Sequence, residues 1–197
     1  MLIIGITGPT GAGKSSVCEF IKNNYNAEII DADKVVKELQ DDKQSSYYLA
    51  IREIFGSDVL DNNDFINRKT LAHIAFADIN KKDKLNELTK RYVVSDIKER
   101  IQILRQTGLD YIIVDAPTLI ENGMQSMFNK IIAVIAKKED RLKRICKRDD
   151  ISEEYATLRM QAQKGNEFYT KYADFVITNE DKDLESKVRT VFEEMGR

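Results

Sequence analysis

A chain of 197 residues is long enough for one full hydrophobic core with insertions, and too short for several large domains. Its 31 basic and 33 acidic residues give a formal net charge of −2, so we expect no overall attraction to nucleic acid or to an anionic membrane, and small-molecule partners instead. No apolar run approaches the roughly 18 residues of a membrane span, and the stretch MLIIGITG lacks the basic region of a secretion signal, which predicts a cytoplasmic protein.

The first feature along the chain is a predicted strand at 2–6 followed by GPTGAGKS at 8–15, here called the phosphate loop. This stretch fills the pattern G-x-x-x-x-G-K-[ST], in which glycines let backbone N–H groups point at phosphate oxygens, the lysine reaches the β- and γ-phosphates, and the serine hydroxyl ligates Mg²⁺. Val17, Phe20 and Ile21 then recur at helical spacing, which places the loop at a helix N-terminus, where anions are favoured. The predicted phosphate-binding residues are Gly8, Gly11, Ala12, Gly13, Lys14, Ser15 and Ser16.

The second predicted strand, 28–31, leads into the segment IIDADKVV. Ligands of open α/β sheets bind at the carboxyl ends of the strands, the edge that also carries the phosphate loop. Asp31 and Asp33 are two apart on a segment that we expect to be extended, so they should point to the same side. One would orient and deprotonate an acceptor hydroxyl while the other supports Mg²⁺ or its waters. The alternative is that Asp33 only caps the following helix.

The long stretch between the second and third predicted strands contains far more residues than a crossover needs. Tyr47, Ile51 and Phe55 recur at helical spacing and stop at Gly56, and a second helical pattern runs from Leu85 towards Gly108. We predict that residues 42–104 form a helical, substrate-binding insertion over the ligand edge of the sheet. A larger ordinary core is the alternative.

Three further apolar runs, at 111–115, 130–135 and 175–178, complete five predicted strands separated by helical patterns. This alternation is typical of an α/β fold with a parallel five-stranded sheet flanked by helices. The third strand delivers Asp115 to the ligand edge, either as a Mg²⁺ ligand through water or as a structural hydrogen-bonding group.

A basic run, KKEDRLKRICKRDD, follows the fourth strand. Most charge runs are solvated helix faces, but one or two arginines within reach of the phosphate loop would do more than aid solubility. Ser152 is then a good N-cap and Gly165 a good stop, with Arg159 and Gln163 four apart and therefore on one face. We predict a helical lid at 137–170, and a core formed by 1–41, 105–136 and 171–197.

Several blocks of this sequence together resemble dephospho-coenzyme A kinases. They are the phosphate loop with IIDADKVV, then DAPTLIEN, RLKRICKRDDISEEYATLRMQAQ and YADFVITN, in the family's order over nearly the whole chain. The resemblance implies a P-loop kinase core with a helical substrate domain and a lid. It also implies ATP-dependent, Mg²⁺-assisted phosphorylation of the ribose 3′-hydroxyl of dephospho-coenzyme A.

By this resemblance Asp33 would activate the acceptor hydroxyl, Lys14 would bind phosphate, and Arg148 would be the lid arginine that reaches the transferring phosphate of ATP. Ser15, with Asp31 or Asp115, would hold Mg²⁺. The sequence departs from the family where a His-Pro pair is common, with Lys90 and Arg91 in its place, and has Thr118 for a leucine in the P-L-L-x-E block. The predicted acceptor-binding residues are Asp33, Pro117, Glu121, Arg159 and Gln163, together with Lys90 and Arg91, which as cations could still hold an anionic substrate.

Two rival functions share the phosphate loop. A P-loop kinase for another acceptor, such as a nucleoside monophosphate, would differ only in the acceptor pocket. A GTPase-type switch should carry an N-K-x-D guanine signature, but the nearest string, at 129–132, lacks the aspartate. A nucleic-acid binder is not favoured either, because the basic run has no interleaved aromatics.

Overall fold

The computed structural model describes residues 1–180 and 183–196. Its strands are β1 (Leu2–Thr7), β2 (Ala27–Asp31), β3 (Tyr111–Asp115), β4 (Lys130–Ile135) and β5 (Phe175–Thr178). They form one five-stranded sheet in the order β2-β3-β1-β4-β5. The predicted strands and the parallel α/β fold are confirmed.

The helices follow the strands in the alternating order that the sequence predicts. They are α1 (Lys14–Asn24), α2 (Ala32–Asp41), α3 (Ser46–Phe55), α4 (Arg68–Phe76), α5 (Ile79–Leu104), α6 (Lys138–Asp149), α7 (Glu153–Gln161), α8 (Asn166–Thr170) and α9 (Leu184–Met195).

Strand β1 lies at the centre of the sheet, paired in parallel with β3 on one side and with β4 on the other. Its residues Ile4 and Ile6 are fully buried, as expected for a parallel sheet covered on both faces. Helices α1 and α9 contribute to the same core through residues such as Val17, Ile21 and Val188. The chain that leaves β1 therefore starts the phosphate loop at the middle of the sheet's carboxyl edge.

The chain divides into two compact units, 1–30 with 104–197, and 31–103. The first unit holds the sheet, and the second consists of helices α2 to α5 around its own core, in which Tyr47, Tyr48 and Ile51 are buried. Helix α3 ends at Gly56, whose φ of 78° suits the glycine expected there. The division falls before α2, since Val36 and Leu39 of that helix pack on the second core.

Helix α5, with 26 residues, is the longest element of the second unit. It buries Val93, Ile97 and Ile101 along one face, as its helical spacing predicts, and carries charged residues elsewhere. Within 1–180 and 183–196, no helix combines the length and the apolar character needed to cross a bilayer.

Helices α6 and α7 pack against each other through Ile145, Ala156 and Met160. The Ser152 hydroxyl caps α7 by accepting a hydrogen bond from the Tyr155 amide at 3.2 Å, as predicted. Helix α7 ends at Gln161, however, and Gly165 lies at the N-cap of α8.

Candidate active site

The phosphate loop has a backbone that only glycine can supply at two positions. Gly8 has a φ of 139°, and a Cβ there would overlap the carbonyl oxygen of Val134 in β4. Gly13 has a φ of 103°, and a Cβ there would overlap the side-chain nitrogen of Asn179. Both conformations are costly for residues with a side chain, so the glycines fix the close packing of the loop on β4 and on the end of β5.

Lys14 is 9% exposed, and its ammonium group lies within the phosphate loop. Nζ donates to the carbonyl oxygens of Gly8 at 2.8 Å and Pro9 at 3.3 Å. Helix α1 begins at Lys14 with Gly13 at its N-cap, and glycine has no side chain to cap the first-turn amides. The amides of Ser15 and Ser16 thus belong to a helix N-terminus that favours an anion.

Arg144 and Asn179 donate hydrogen bonds to backbone carbonyls of the phosphate loop, and neither was among the predicted site residues. Arg144 Nη1 donates to the carbonyl oxygens of Gly11 and Ala12, both at 3.3 Å, and its Nη2 donates to the Asn179 carbonyl at 3.0 Å. The Asn179 side chain donates to the same Ala12 carbonyl at 2.9 Å. These hydrogen bonds fix the carbonyl side of the loop backbone at Gly11 and Ala12.

The tip of the loop is bound by two residues of the 137–170 segment. The Thr10 amide donates to Gln163 Oε1 at 2.8 Å, and the Thr10 carbonyl accepts from Arg141 Nε at 2.9 Å. Two arginines of the basic run, Arg141 and Arg144, thus contact the loop, whereas the sequence analysis singled out Arg148 from the same run. The sequence could not identify which of its basic residues would do so.

Arg148 and Arg159 share one carboxylate. Asp149 binds Arg148 through both of its oxygens, at 2.7 and 2.9 Å, and accepts from Arg159 Nη1 at 2.6 Å. Hydrogen bonds from Arg148, together with the charges of both arginines, lower the Asp149 pKa to about 2. The expectation that Arg159 and Gln163 share a helix face is wrong, because α7 ends before Gln163 and the two side chains have different partners.

The end of β3 lies beside the start of the loop. Asp115 is half-buried and pairs in register with Ile6 of β1. The hydroxyl of the fully buried Thr7 donates to the Pro117 carbonyl at 3.1 Å, so the residues after β3 are tied to the residue before Gly8. This contact links the predicted DAPTLIEN block to the phosphate loop.

Glu121, the acid of that block, is an exposed residue that accepts a hydrogen bond from the Tyr169 hydroxyl at 3.3 Å. Tyr169 is 1% exposed. Its burial, and the negative charge of Glu121, raise the Tyr169 pKa to about 12. The phenol therefore stays protonated and remains a donor to Glu121 at physiological pH.

Asp31 and Asp33, both in the helical unit formed by residues 31–103, have different local environments. Asp31 is the N-cap of α2, and its Oδ1 accepts from the Lys34 amide at 3.0 Å. Asp33 is exposed in the first turn of α2. The expectation that Asp31 and Asp33 lie on one extended segment is wrong, because helix α2 begins at Ala32. The helix cap that was the alternative role for Asp33 is provided by Asp31.

Lys90 and Arg91 lie on α5, and both are exposed. The Arg91 guanidinium lies 5.5 Å from the centre of the Tyr92 ring. They present two positive charges on the surface of the helical unit.

Two oxygen-bearing side chains that could ligate Mg²⁺ lie near the carboxyl ends of strands: Ser15 after β1, and Asp115 at the end of β3. Ser15 is exposed in the first turn of α1, and Asp115 ends β3 next to the strand that leads into the loop. Among the described residues, no three His, Cys, Asp or Glu side chains are grouped as a metal cluster. Mg²⁺ usually takes one or two protein oxygens and completes its shell with water and substrate phosphates, so a hydroxyl and one carboxylate fit it.

Residues 2–185 match the family model for dephospho-CoA kinase. The chain belongs to the dephospho-CoA kinase family. It is 33% identical to a dephospho-CoA kinase of Lactobacillus johnsonii over 196 residues, 98% of each chain. It is 36% identical to that of Fusobacterium nucleatum over 191 residues, 95% of each chain. A solved structure of dephospho-CoA kinase from Campylobacter jejuni matches with a TM-score of 0.72 and 28% identity, covering 98% of this chain and 96% of that one.

Membership of the dephospho-CoA kinase family confirms the resemblance on which the sequence prediction relied, and with it the enzyme class. The match extends over the helical unit as well as the phosphate-loop unit. Neither another acceptor nor a GTPase-type switch is favoured by a match of this extent.

Proposed function

We propose that this protein transfers the γ-phosphoryl group of ATP to the ribose 3′-hydroxyl of dephospho-coenzyme A, giving coenzyme A and ADP. The observation that carries the proposal is a glycine-shaped phosphate loop, with Lys14 inside it and Arg144 and Asn179 behind it, in a chain that matches dephospho-CoA kinases along nearly its full length.

The loop residues from Gly8 to Ser16 bind the ATP phosphates in this proposal. Their amides and the Lys14 ammonium group neutralise the charge that is shared among the phosphate oxygens during transfer. Ser15 and Asp115 would hold Mg²⁺, with Asp31 as an alternative carboxylate. When bound, Mg²⁺ supplies further neutralisation of charge on the phosphate oxygens.

Arg148 acts from the lid on the transferring phosphoryl group of ATP, and Arg159 belongs to the acceptor-binding set. Both arginines already share Asp149, so they form a pair of positive charges at one point of the lid. Phosphate oxygens are strong acceptors for guanidinium groups and compete with the carboxylate for them. Asp149 thus positions the arginines, and the phosphate groups of the two substrates then take over part of their hydrogen bonding.

Asp33 orients the 3′-hydroxyl and accepts its proton, as a catalytic carboxylate of a phosphotransferase does. Asp33 is an exposed residue at the start of α2, as a group that meets a substrate should be. Pro117, Glu121 and Gln163 contribute to the acceptor site. Lys90 and Arg91 supply positive charge for an anionic acceptor, to which cations are well suited.

A coupled assay of ADP release with Mg·ATP tests the proposal, with dephospho-coenzyme A compared against a panel of nucleoside monophosphates. Turnover with dephospho-coenzyme A alone is expected. Turnover only with a nucleoside monophosphate would overturn the acceptor and leave the phosphate-loop chemistry in place. Product analysis should place the new phosphate on the 3′-oxygen. A cytoplasmic location, and independence from nucleic acid, stay predictions from the sequence.

A further inference from the structure

The residues of β1 alternate between the two faces of the sheet. Successive side chains of a strand point to opposite faces, so Ile4 and Ile6 lie on one face and Gly5 and Thr7 on the other. Ile4 and Ile6 belong to the core that includes residues of α1 and α9. Gly5 and Thr7 are also buried, and both contact the residues that follow β3. Those residues, 116–121, are here called the acceptor turn, because they include two members of the proposed acceptor site.

Gly5 leaves room for a side chain of the acceptor turn. A Cβ at this position would overlap Leu119 Cδ1 and would lie 3.0 Å from the Phe128 ring, closer than the roughly 3.5–4.0 Å of an ordinary carbon contact. Gly5 lies within β1 and has no positive φ, so the close approach of Leu119 explains a glycine here. Leu119 is fully buried, and a new methyl group would therefore displace packed atoms of the turn.

Thr7 holds the first residues of the acceptor turn by a hydrogen bond. Its side chain is fully buried, and Oγ1 donates to the Pro117 carbonyl oxygen at 3.1 Å. The neighbouring Ala116 amide donates to the Ile6 carbonyl oxygen at 3.0 Å. At the other end of the turn, Glu121 accepts a hydrogen bond from the Tyr169 hydroxyl at 3.3 Å. The turn is thus held at both ends, and its first part is held by β1.

The phosphate loop begins at the same end of β1. Thr7 directly precedes Gly8, whose backbone packs on the Val134 carbonyl oxygen of β4. The position of the acceptor turn relative to the loop is therefore determined over only three residues, Gly5 to Thr7. Transfer between two bound substrates depends strongly on such a spacing, since a misplacement of about 1 Å can lower the rate roughly 100-fold.

We propose that Gly5 and Thr7 are positioning residues for phosphoryl transfer. Gly5 sets how closely the acceptor turn approaches β1, and Thr7 sets where the turn lies along the strand. Neither residue needs to touch a substrate, because both act through the backbone and the buried side chain of the turn. This inference rests on the proposed function, since it takes the acceptor to be bound by Pro117 and Glu121.

Gly5→Ala tests the first part of the proposal. The variant should lower kcat with dephospho-coenzyme A about 10- to 100-fold, because the acceptor turn is displaced from the loop. The affinity for ADP, measured by titration, should stay within about twofold, because the loop residues that bind phosphate are unchanged. The slow hydrolysis of ATP without an acceptor should also persist. A general structural defect would instead lower all three quantities together.

A second substitution should compensate for the first. Leu119→Val removes the methyl group that a Cβ at Gly5 would overlap, so in the Gly5→Ala background it should raise kcat, whereas in the parent it should lower kcat. Gly196→Ala is the matched control, because the nearest atom to its new methyl group is the Phe192 carbonyl oxygen at 3.6 Å, an ordinary contact. That control should leave kcat and ADP affinity unchanged.

Thr7→Val and Thr7→Ser test the second part, and they also serve if Gly5→Ala does not fold. Valine keeps the shape and removes the donor, so kcat should fall roughly three- to tenfold, the scale of one hydrogen bond, while serine should retain parental kcat. Parental kcat in both Gly5→Ala and Thr7→Val, or equal losses of kcat and ADP affinity, would overturn the positioning role. Absence of turnover of dephospho-coenzyme A by the parent would overturn the proposed function as well.

Discussion

The side-chain nitrogen of Asn179 occupies the space into which a Cβ on Gly13 would project. The same nitrogen donates to the Ala12 carbonyl at 2.9 Å, so the residue that follows β5 packs directly on the backbone at the start of α1. This contact makes the loop's shape depend on a side chain far away in sequence.

Gly13→Ala should therefore disrupt nucleotide binding. The new methyl group would displace Asn179, and the positive φ adds strain of about 1–2 kcal/mol. Gly108→Ala is the matched control, because Gly108 also has a positive φ, of 75°, and no atom of the described residues lies within 4 Å of the place that its new methyl group would take. Titration with ADP should show a loss of at least roughly tenfold in affinity for Gly13→Ala only, as expected where overpacking is added to strain. Equal losses in both variants would mean that the Asn179 contact is unimportant.

Asp149 should make the stability of the 137–170 segment depend on pH in the acidic range. Its pKa is about 2 in the folded protein against the ordinary value of 3.8, so its stabilising effect is present above about pH 4 and is lost as the pH falls through 2. Thermal unfolding of the parent and of Asp149→Asn, measured from pH 7 to pH 2, should give melting temperatures that differ at neutral pH and converge at low pH.

A double-mutant cycle separates this effect from a general loss of charge. In an Arg148→Gln background, the substitution Asp149→Asn should cost less than it does in the parent, because the principal hydrogen-bond partner has been removed. Additive effects would show that the pair contributes nothing to stability.

Asp33→Asn should lower kcat by roughly 10²–10⁴, the usual effect of losing a general base, with little change in ATP affinity. Asp31→Asn is the comparison, since asparagine keeps an oxygen that can accept from the Lys34 amide and preserve the cap of α2. A raised Mg²⁺ requirement in Asp31→Asn would assign that carboxylate to the metal. Near-normal kcat in Asp33→Asn would remove Asp33 from the chemistry.

Tyr169→Phe should affect the acceptor more than ATP. It removes the hydroxyl that donates to Glu121 and keeps the buried ring, so the melting temperature should change little. We expect KM for dephospho-coenzyme A to rise roughly two- to tenfold, the scale of one hydrogen bond. Tyr172→Phe, at a tyrosine that is 42% exposed, is the control and should leave KM unchanged. An unaltered KM in Tyr169→Phe would separate Glu121 from acceptor binding.

Local sequence patterns were sufficient to predict the sheet and the phosphate loop. Buried parallel strands are short apolar runs, and the loop's chemistry is contained within residues 8–15. The start of α2 was misjudged because the run IIDADKVV suits a longer strand as well as a helix capped by Asp31. Helical spacing alone also extended the predicted helix to Gln163, beyond the end of α7 at Gln161.

The contacts of Arg141, Arg144 and Asn179 with the loop could not be predicted from local sequence patterns. Arg144 and Arg141 stand in a run of seven basic residues, and nothing in their spacing distinguishes them from solvent-exposed neighbours such as Lys143. Asn179 comes directly after β5, and the sequence pattern does not distinguish it from any other polar residue after a strand. Their roles depend on contacts across more than 130 residues of sequence, which only the folded chain brings about.

The hydrogen bonds of Thr10 with Arg141 and Gln163 determine when the loop can take its final shape as the chain is synthesised. The loop is synthesised before the groups that shape it, which extend along the chain up to Asn179. Domains emerge and fold from the N-terminal side, and distant contacts form slowly. A nascent chain therefore exposes the glycine-rich segment unsupported until the residues up to Asn179 have been made. It acquires the ability to capture a nucleotide only when β4 and β5 have joined the sheet and the 137–170 segment has folded against the loop.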